Sequence, residues 1–117
     1  MKILYIEDNP GSIRVMQRTA LHLGHELLLA GNGPDAMALL HNHADIHLIL
    51  LDIGLPGMDG LTLARLIRRT RPDTPIVAIT AHAAESDREA CLQAGCTDYL
   101  SKPFDLPTIT ALLQRYT

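Results

Sequence analysis

Residues 46–60 read IHLILLDIGLPGMDG: a run of apolar side chains of strand length that ends on Asp52 and then breaks into a loop carrying Gly54, Pro56, Gly57 and Gly60. A nearly unbroken apolar run, rather than an alternating one, is what a strand covered on both faces requires. The stretch therefore predicts a central strand of a parallel sheet with helices on each side. It also leaves a carboxylate at the strand's carboxyl end, followed by glycines whose backbone can come close to a ligand.

Outward from this run, Ile46 to Leu51, the same pattern recurs. Ile3 to Ile6, Leu27 to Ala30 and Ile76 to Ile79 are further apolar runs, with a weaker fifth around Tyr99 and Leu100, and helix-period segments separate them. Strands alternating with helices mean βα units around a parallel sheet. Asn9 before Pro10 reads as a helix N-cap with Pro in the first turn, and Gly24 as the stop after Leu23. Gly33 and Pro34 open a second helix, and Ser86 with Glu89 suggests a capping box for a helix reaching Gly95. Asp105 caps a last helix, with Pro107 tolerated in its first turn. Ile13, Met16, Ala20 and Leu23 share a helix face and predict buried contacts, whereas Arg65, Arg68, Arg69 and Arg71 read as a solvated helix end.

Composition bounds the function. With 117 residues the chain is expected to form one domain, 1–117, and 47% hydrophobic content excludes disorder as the default. Aromatics are 3%, with no Trp, and the net charge is -3, so neither a base-stacking platform nor a basic nucleic-acid footprint is available. The apolar start of the chain is too short for a signal-peptide core or a membrane span, which gives a cytoplasmic expectation without membrane or direct nucleic-acid partners. Cys91 and Cys96 have neither redox-pair nor zinc spacing and read as reduced structural thiols.

In open α/β sheets ligands bind at the carboxyl ends of the strands, where the strand order reverses. Glu7 and Asp8 follow the first run, Asp52 the third and Thr80 the fourth, while Ser101, Lys102 and Pro103 follow the fifth. Two carboxylates ~4 Å apart repel by about 4 kcal/mol at an effective dielectric of 20, so a shared pocket needs positive charge. Lys102 supplies one, and a hard divalent cation with oxygen ligands, Mg²⁺, suits the rest. Mg²⁺ keeps positions for water and phosphate oxygens, so the pocket suits a phosphoryl group, with Asp52 as the nucleophile of an aspartyl phosphate. Taken alone, Thr80 also fits a plain strand terminus, and Tyr99 a packed ring with its hydroxyl in water.

Together these elements resemble a response-regulator receiver domain, over essentially the whole chain. The family's acidic pair is matched by Glu7 and Asp8 in YIEDNP, its phosphoacceptor by Asp52 in LLDIGLPGMDG, its switch hydroxyl by Thr80 in AITAH and its lysine by Lys102 in YLSKPF. The resemblance implies a flavodoxin-like five-stranded parallel sheet in the order 2-1-3-4-5. It implies that Asp8, Asp52 and the Gly54 carbonyl hold Mg²⁺, with Glu7 near it through water, and that Lys102 contacts the phosphoryl oxygens. Thr80 and the aromatic at Tyr99 would form the switch, and the bond before Pro103 would be cis. The implied partners are a sensor histidine kinase or histidine phosphotransfer domain, docking partly over the first helix near Arg14 and Arg18, and an unspecified effector reading the fourth helix, fifth strand and fifth helix. Such a protein catalyses only its own phosphorylation and dephosphorylation. Glu7 stands where Asp is frequent, and Gly54 lacks a side chain where the family often has one.

Three other functions compete. A haloacid-dehalogenase-like phosphatase needs a second Asp two residues after the nucleophile, where Gly54 stands. A receiver-like scaffold acting without phosphorylation would not need the chemical residues that are present. A nucleotide or flavin binder lacks a glycine-rich phosphate loop after the first strand. Among six histidines, His41 and His43 do not share a helix face, which argues against a histidine metal site; His82 follows Thr80 closely enough to influence the crevice.

Overall fold

Five parallel strands, β1 (Lys2–Ile6), β2 (Glu26–Ala30), β3 (Leu48–Asp52), β4 (Ile76–Thr80) and β5 (Asp98–Ser101), form one sheet in the order β2-β1-β3-β4-β5. The computed structural model describes residues 1–55, 59–81 and 84–117. Five helices connect the strands: α1 (Pro10–His22), α2 (Gly33–Asn42), α3 (Gly60–Thr70), α4 (Glu85–Gln93) and α5 (Leu106–Arg115). The strand order and helix alternation are those expected from the sequence.

The sheet is covered on both sides, and this is why its strands carry so little alternation. Ile3, Tyr5, Leu48, Leu50, Val77 and Ile79 point to the side of α1 and α5, where Met16, Ile109, Leu112 and Leu113 meet them. Leu4, Ile6, Ile49, Leu51, Ile76 and Ala78 point the other way, against Ala36 and Leu40 of α2, Leu63, Ala64 and Ile67 of α3, and Cys91 of α4. Both β3 and β4 are buried at every position. Of the predicted α1 stripe, Met16 and Ala20 are buried and Ile13 and Leu23 half-buried.

Local chemistry sets most boundaries. The Asn9, Asn32 and Asp105 side chains accept from the backbone N–H of Ser12 (3.0 Å), Asp35 (2.8 Å) and Thr108 (2.9 Å), opening α1, α2 and α5. Gly24 (φ 77°) and Gly95 (φ 105°) take left-handed conformations that close α1 and α4, with His25 N–H bonding to Ala20 O and Cys96 N–H to Cys91 O. The Ser86/Glu89 capping box does not form. The helix already starts at Glu85, so Ser86 lies inside the first turn, and Ala84 occupies the cap position without a side-chain bond. Ile46 also falls outside the third strand; it is a buried loop residue, and β3 begins at Leu48.

The arginines closing α3 are not one solvated face. Arg68 donates to Gly95 O, Arg71 O, Pro72 O and Thr74 O, and Arg71 to Leu40 O, His43 O and Ile46 O. These carbonyls lie at helix ends and in the loops leading into β3, β4 and β5, and the guanidinium forks supply donors to them. Arg65 and Arg69 are exposed as expected. Cys91 and Cys96 are buried free thiols, and burial pushes Cys96 up to about 12. Among the described residues, no helix is long and apolar enough to cross a membrane.

Candidate functional site

The register of the sheet decides which strand ends meet. Ile6 of β1 pairs with Leu51 of β3, so Glu7, one residue further on, lies beside Asp52; Asp52 pairs with Ile79, and Thr80 with Ser101. Glu7, Asp52 and Thr80 are only 1%, 6% and 6% exposed, although they are polar. Asp8 is exposed. Carboxylate oxygens of Glu7, Asp8 and Asp52 nevertheless lie within 4.8 Å of one another. Three such oxygens, two buried and one open to solvent, suit a hard divalent cation that keeps part of its hydration shell.

Lys102 enters this group from the far edge of the sheet. Its ammonium lies 3.1 Å from both carboxylate oxygens of Glu7 and 3.1 Å from Asp52 Oδ2. A backbone hydrogen bond ties it to β4, Lys102 N–H donating to Thr80 O at 2.7 Å; the Lys102–Pro103 bond is cis, as the resemblance implied. Asp52 Oδ1 accepts from Gly54 N–H at 2.9 Å, and Glu7 Oε1 from Asn9 N–H at 3.2 Å. The loop after each strand thus supplies a donor to the carboxylate at that strand's end.

These contacts separate the two buried acids. Burial, and then a hydrogen bond shared with Asp52, push Glu7 up to about 7, against the pull of Lys102. Burial also acts upward on Asp52, but hydrogen bonds from Glu7, from Gly54 N–H and from Lys102 outweigh it and hold Asp52 below its ordinary value. Lys102 loses solvation on burial, yet the two carboxylates raise its affinity for its proton. The outcome is an ionised Asp52 beside an ammonium, with a neighbour, Glu7, that can take up the spare proton. An ionised, oriented carboxylate is what a phosphoryl acceptor requires.

Of the remaining predicted residues, Gly54 falls at this end of the sheet and Tyr99 lies further back along β5. Gly54 is exposed next to Asp52, and a Cβ built there would lie 3.5 Å from Asp52 Oδ1, an ordinary contact. Tyr99 lies on β5 beside Ala78 and is half-buried against the core on the α2, α3 and α4 side. A Cβ on Gly60 would lie 2.6 Å from Ile53 Cα, so this glycine lets α3 start against the backbone after β3. Pro56, Gly57 and His82 lie outside the described residues. No group of histidines able to hold a metal occurs among the described residues. The sequence placed Glu7 near a metal and Lys102 among the carboxylates; which carboxylate oxygens the ammonium meets is set by the fold.

A cleft of about 610 Å³ opens beside this group, between Asn9, Ser12 and Val15 of the α1 side and Lys102, Pro103 and Phe104. Another, of about 640 Å³, runs between α1 and α5 and includes Arg18, His22 and Leu106 but none of the carboxylates. Arg14 and Arg18 are exposed on α1.

Comparison with known proteins agrees with this geometry. The family model "Response regulator receiver domain" matches residues 3–114. A hybrid signal transduction histidine kinase G of Dictyostelium discoideum is 41% identical over 99% of this chain, which spans 4% of that protein. The transcriptional regulatory protein TcrA of Mycobacterium tuberculosis is 36% identical over 97% of this chain, which spans 45% of it. The crystal structure of the receiver domain of a Pseudomonas aeruginosa sensor histidine kinase, with a magnesium ion coordinated in its active-site cleft, superposes with a TM-score of 0.86; it is 38% identical, and the match covers 98% of this chain and 95% of that one. The chain thus spans less than half the length of these two curated relatives.

Proposed function

The chain belongs to the response regulator receiver domain family, and on that premise we propose that it is a phosphorylation switch whose acceptor is Asp52. The observation that carries this reading is the pairing of a buried, ionised Asp52 with the Lys102 ammonium at 3.1 Å, beside two further carboxylates. A carboxylate oxygen of Asp52 attacks the phosphorus of a phosphohistidine on a sensor kinase or phosphotransfer domain. The P–N bond breaks, its electron pair and a proton go to the leaving imidazole, and an acyl phosphate remains on Asp52. Hydrolysis of that group by water returns the carboxylate and inorganic phosphate.

The residues have separate tasks. Lys102 shifts its ammonium from the Asp52 carboxylate to the new phosphoryl oxygens, where negative charge accumulates. Asp8, Asp52 and the Gly54 carbonyl would hold Mg²⁺, which would supply charge neutralisation at the acceptor. Glu7 balances Lys102 and orders the hydration of that ion. Thr80 turns its hydroxyl to the phosphoryl oxygens, and Tyr99, on the neighbouring strand, moves with it. The face formed by α4, β5 and α5 then differs between the two states, which is the signal an effector reads. The chain acts on no external metabolite.

The test is intact mass after incubation with a small phosphodonor, with and without Mg²⁺, on the wild type and on Asp52→Asn. A single hydroxylamine-labile phosphoryl adduct that requires both Mg²⁺ and Asp52 supports the reading. Absence of an adduct, together with absence of Mg²⁺ binding, overturns it and leaves a receiver-like scaffold.

A further inference from the structure

Tyr5 carries a polar atom that the acid site has not yet used. Its side chain is fully buried on the α1 and α5 side of β1, and its hydroxyl has no hydrogen-bond partner among the described residues. The ring lies on the face of β1 to which Glu7, just past the strand end and still bonded to Ala30 O, also belongs, and its strand partner Leu50 shares a face of β3 with Asp52. Tyr5 is therefore the layer directly beneath the paired acids. Burial, followed by the charges of Glu7 and Asp52, makes its phenol harder to ionise, so the hydroxyl is a donor. Ser12, in the first turns of α1, comes near enough to influence the phenol, though not in bonding geometry.

A buried hydroxyl at such a place is rarely left orphaned, and one near two carboxylates and a serine has the polar partners that a bound water needs. We propose that Tyr5 is a positioning residue for the metal site: with Ser12 it holds a water against the Glu7 carboxylate, fixing the orientation of that carboxylate towards Asp8 and Asp52. Outer hydrogen bonds of this kind govern metal affinity without touching the metal. The inference rests on the Mg²⁺ reading of the acid cluster given above. It adds a residue that contacts neither the ion nor the phosphoryl group.

Tyr5→Phe removes the hydroxyl and keeps the ring, and Ser12→Ala probes the other side of the link at a residue only partly buried. Both are compared with the wild type by calorimetric Mg²⁺ titration, and by the rate of adduct formation at low and saturating Mg²⁺. The expected result is a roughly tenfold rise in the Mg²⁺ dissociation constant for each variant. The double variant should be no weaker than the weaker single one, and the adduct rate should recover at saturating Mg²⁺. An unchanged dissociation constant in Tyr5→Phe, with or without a change in melting temperature, overturns the proposal while leaving the switch intact. Additive effects in the double variant also overturn it, because Tyr5 and Ser12 would then not share one water. A wild type that binds no Mg²⁺ removes the reading beneath it, and the proposal fails with it.

Discussion

Lys102 and Glu7 are 95 positions apart, yet the Lys102 ammonium lies 3.1 Å from each oxygen of the buried Glu7 carboxylate while also reaching Asp52. One cation thus stands between two buried acids. Without it, two carboxylates in a poorly solvated pocket would repel, and one would be protonated. With it, Asp52 stays ionised and Glu7 carries the adjustable proton.

Replacing Lys102 by Met should therefore destabilise the protein more at pH 8 than at pH 5. At the higher pH the buried pair must either hold two uncompensated charges or take up a proton against the solution pH, and the loss should be about 2 kcal/mol, below the range for a fully buried pair because Lys102 is partly exposed. At the lower pH Glu7 is protonated, and much of the loss disappears. Urea unfolding at the two pH values measures this; equal losses would show that Lys102 does not balance the acid pair.

The raised Glu7 makes its own signature in the metal-free protein. Folding strengthens its hold on a proton from an ordinary 4.5 to about 7, so the native state binds more protons than the unfolded chain between these values. Its contribution to stability is fully present below 4.5 and is lost as pH rises through about 7. Against Glu7→Gln, the wild type should lose on the order of 2 kcal/mol across this window, after which the difference should stay flat. Parallel profiles for the two proteins would falsify this account.

Asp8 is exposed and contributes a carboxylate to the cluster without being buried in it. Asp8→Asn should fold with nearly unchanged stability but lose the stabilisation that Mg²⁺ gives the wild type. At a Mg²⁺ concentration about 100 times its dissociation constant, that stabilisation is about 2.7 kcal/mol. Thermal melts with and without Mg²⁺ are sufficient, and an equal Mg²⁺-dependent rise in both proteins would exclude Asp8 as a ligand.

Gly60 tests the start of α3 after the acceptor loop. A methyl group there meets Ile53 backbone atoms at 2.6 and 2.7 Å, and backbone cannot rotate away as a side chain can. Gly60→Ala should cost about 2 kcal/mol or more in urea unfolding. Gly31→Ala, with no atom near the new methyl, should stay within about 0.5 kcal/mol of the wild type.

The arginines of α3 divide by contact rather than by charge. Arg68→Met leaves the carbonyls of Gly95, Arg71, Pro72 and Thr74 without their donor and should destabilise by about 2 kcal/mol. Arg69→Met, at an exposed position, should change stability by less than about 0.5 kcal/mol. Similar losses in both would mean that bulk charge, not carbonyl capping, is what the arginines supply.

The sequence by itself determined the strands, their parallel arrangement and the residues at their carboxyl ends. Burial on two faces demands continuous apolar runs, and helix ends are written locally in Asn9, Asp105 and Gly24. Local pattern misled at one helix start, where α4 began at Glu85 and took Ser86 out of the cap position. The identities of Asp8, Asp52, Thr80 and Lys102 as one group were legible because each follows a strand, and strands in a parallel sheet end on one side. What the tertiary structure alone decided is how that group is wired. The register of β1 on β3 sets Glu7 against Asp52, the crossing of β5 brings Lys102 between them, and Tyr5 is sealed beneath. Arg68 and Arg71, indistinguishable from surface charge in the sequence, became clamps only when distant loops offered them carbonyls. Periodicity is a property of neighbours along the chain, whereas hydrogen-bond partners and shifted proton affinities arise from groups that only folding brings together.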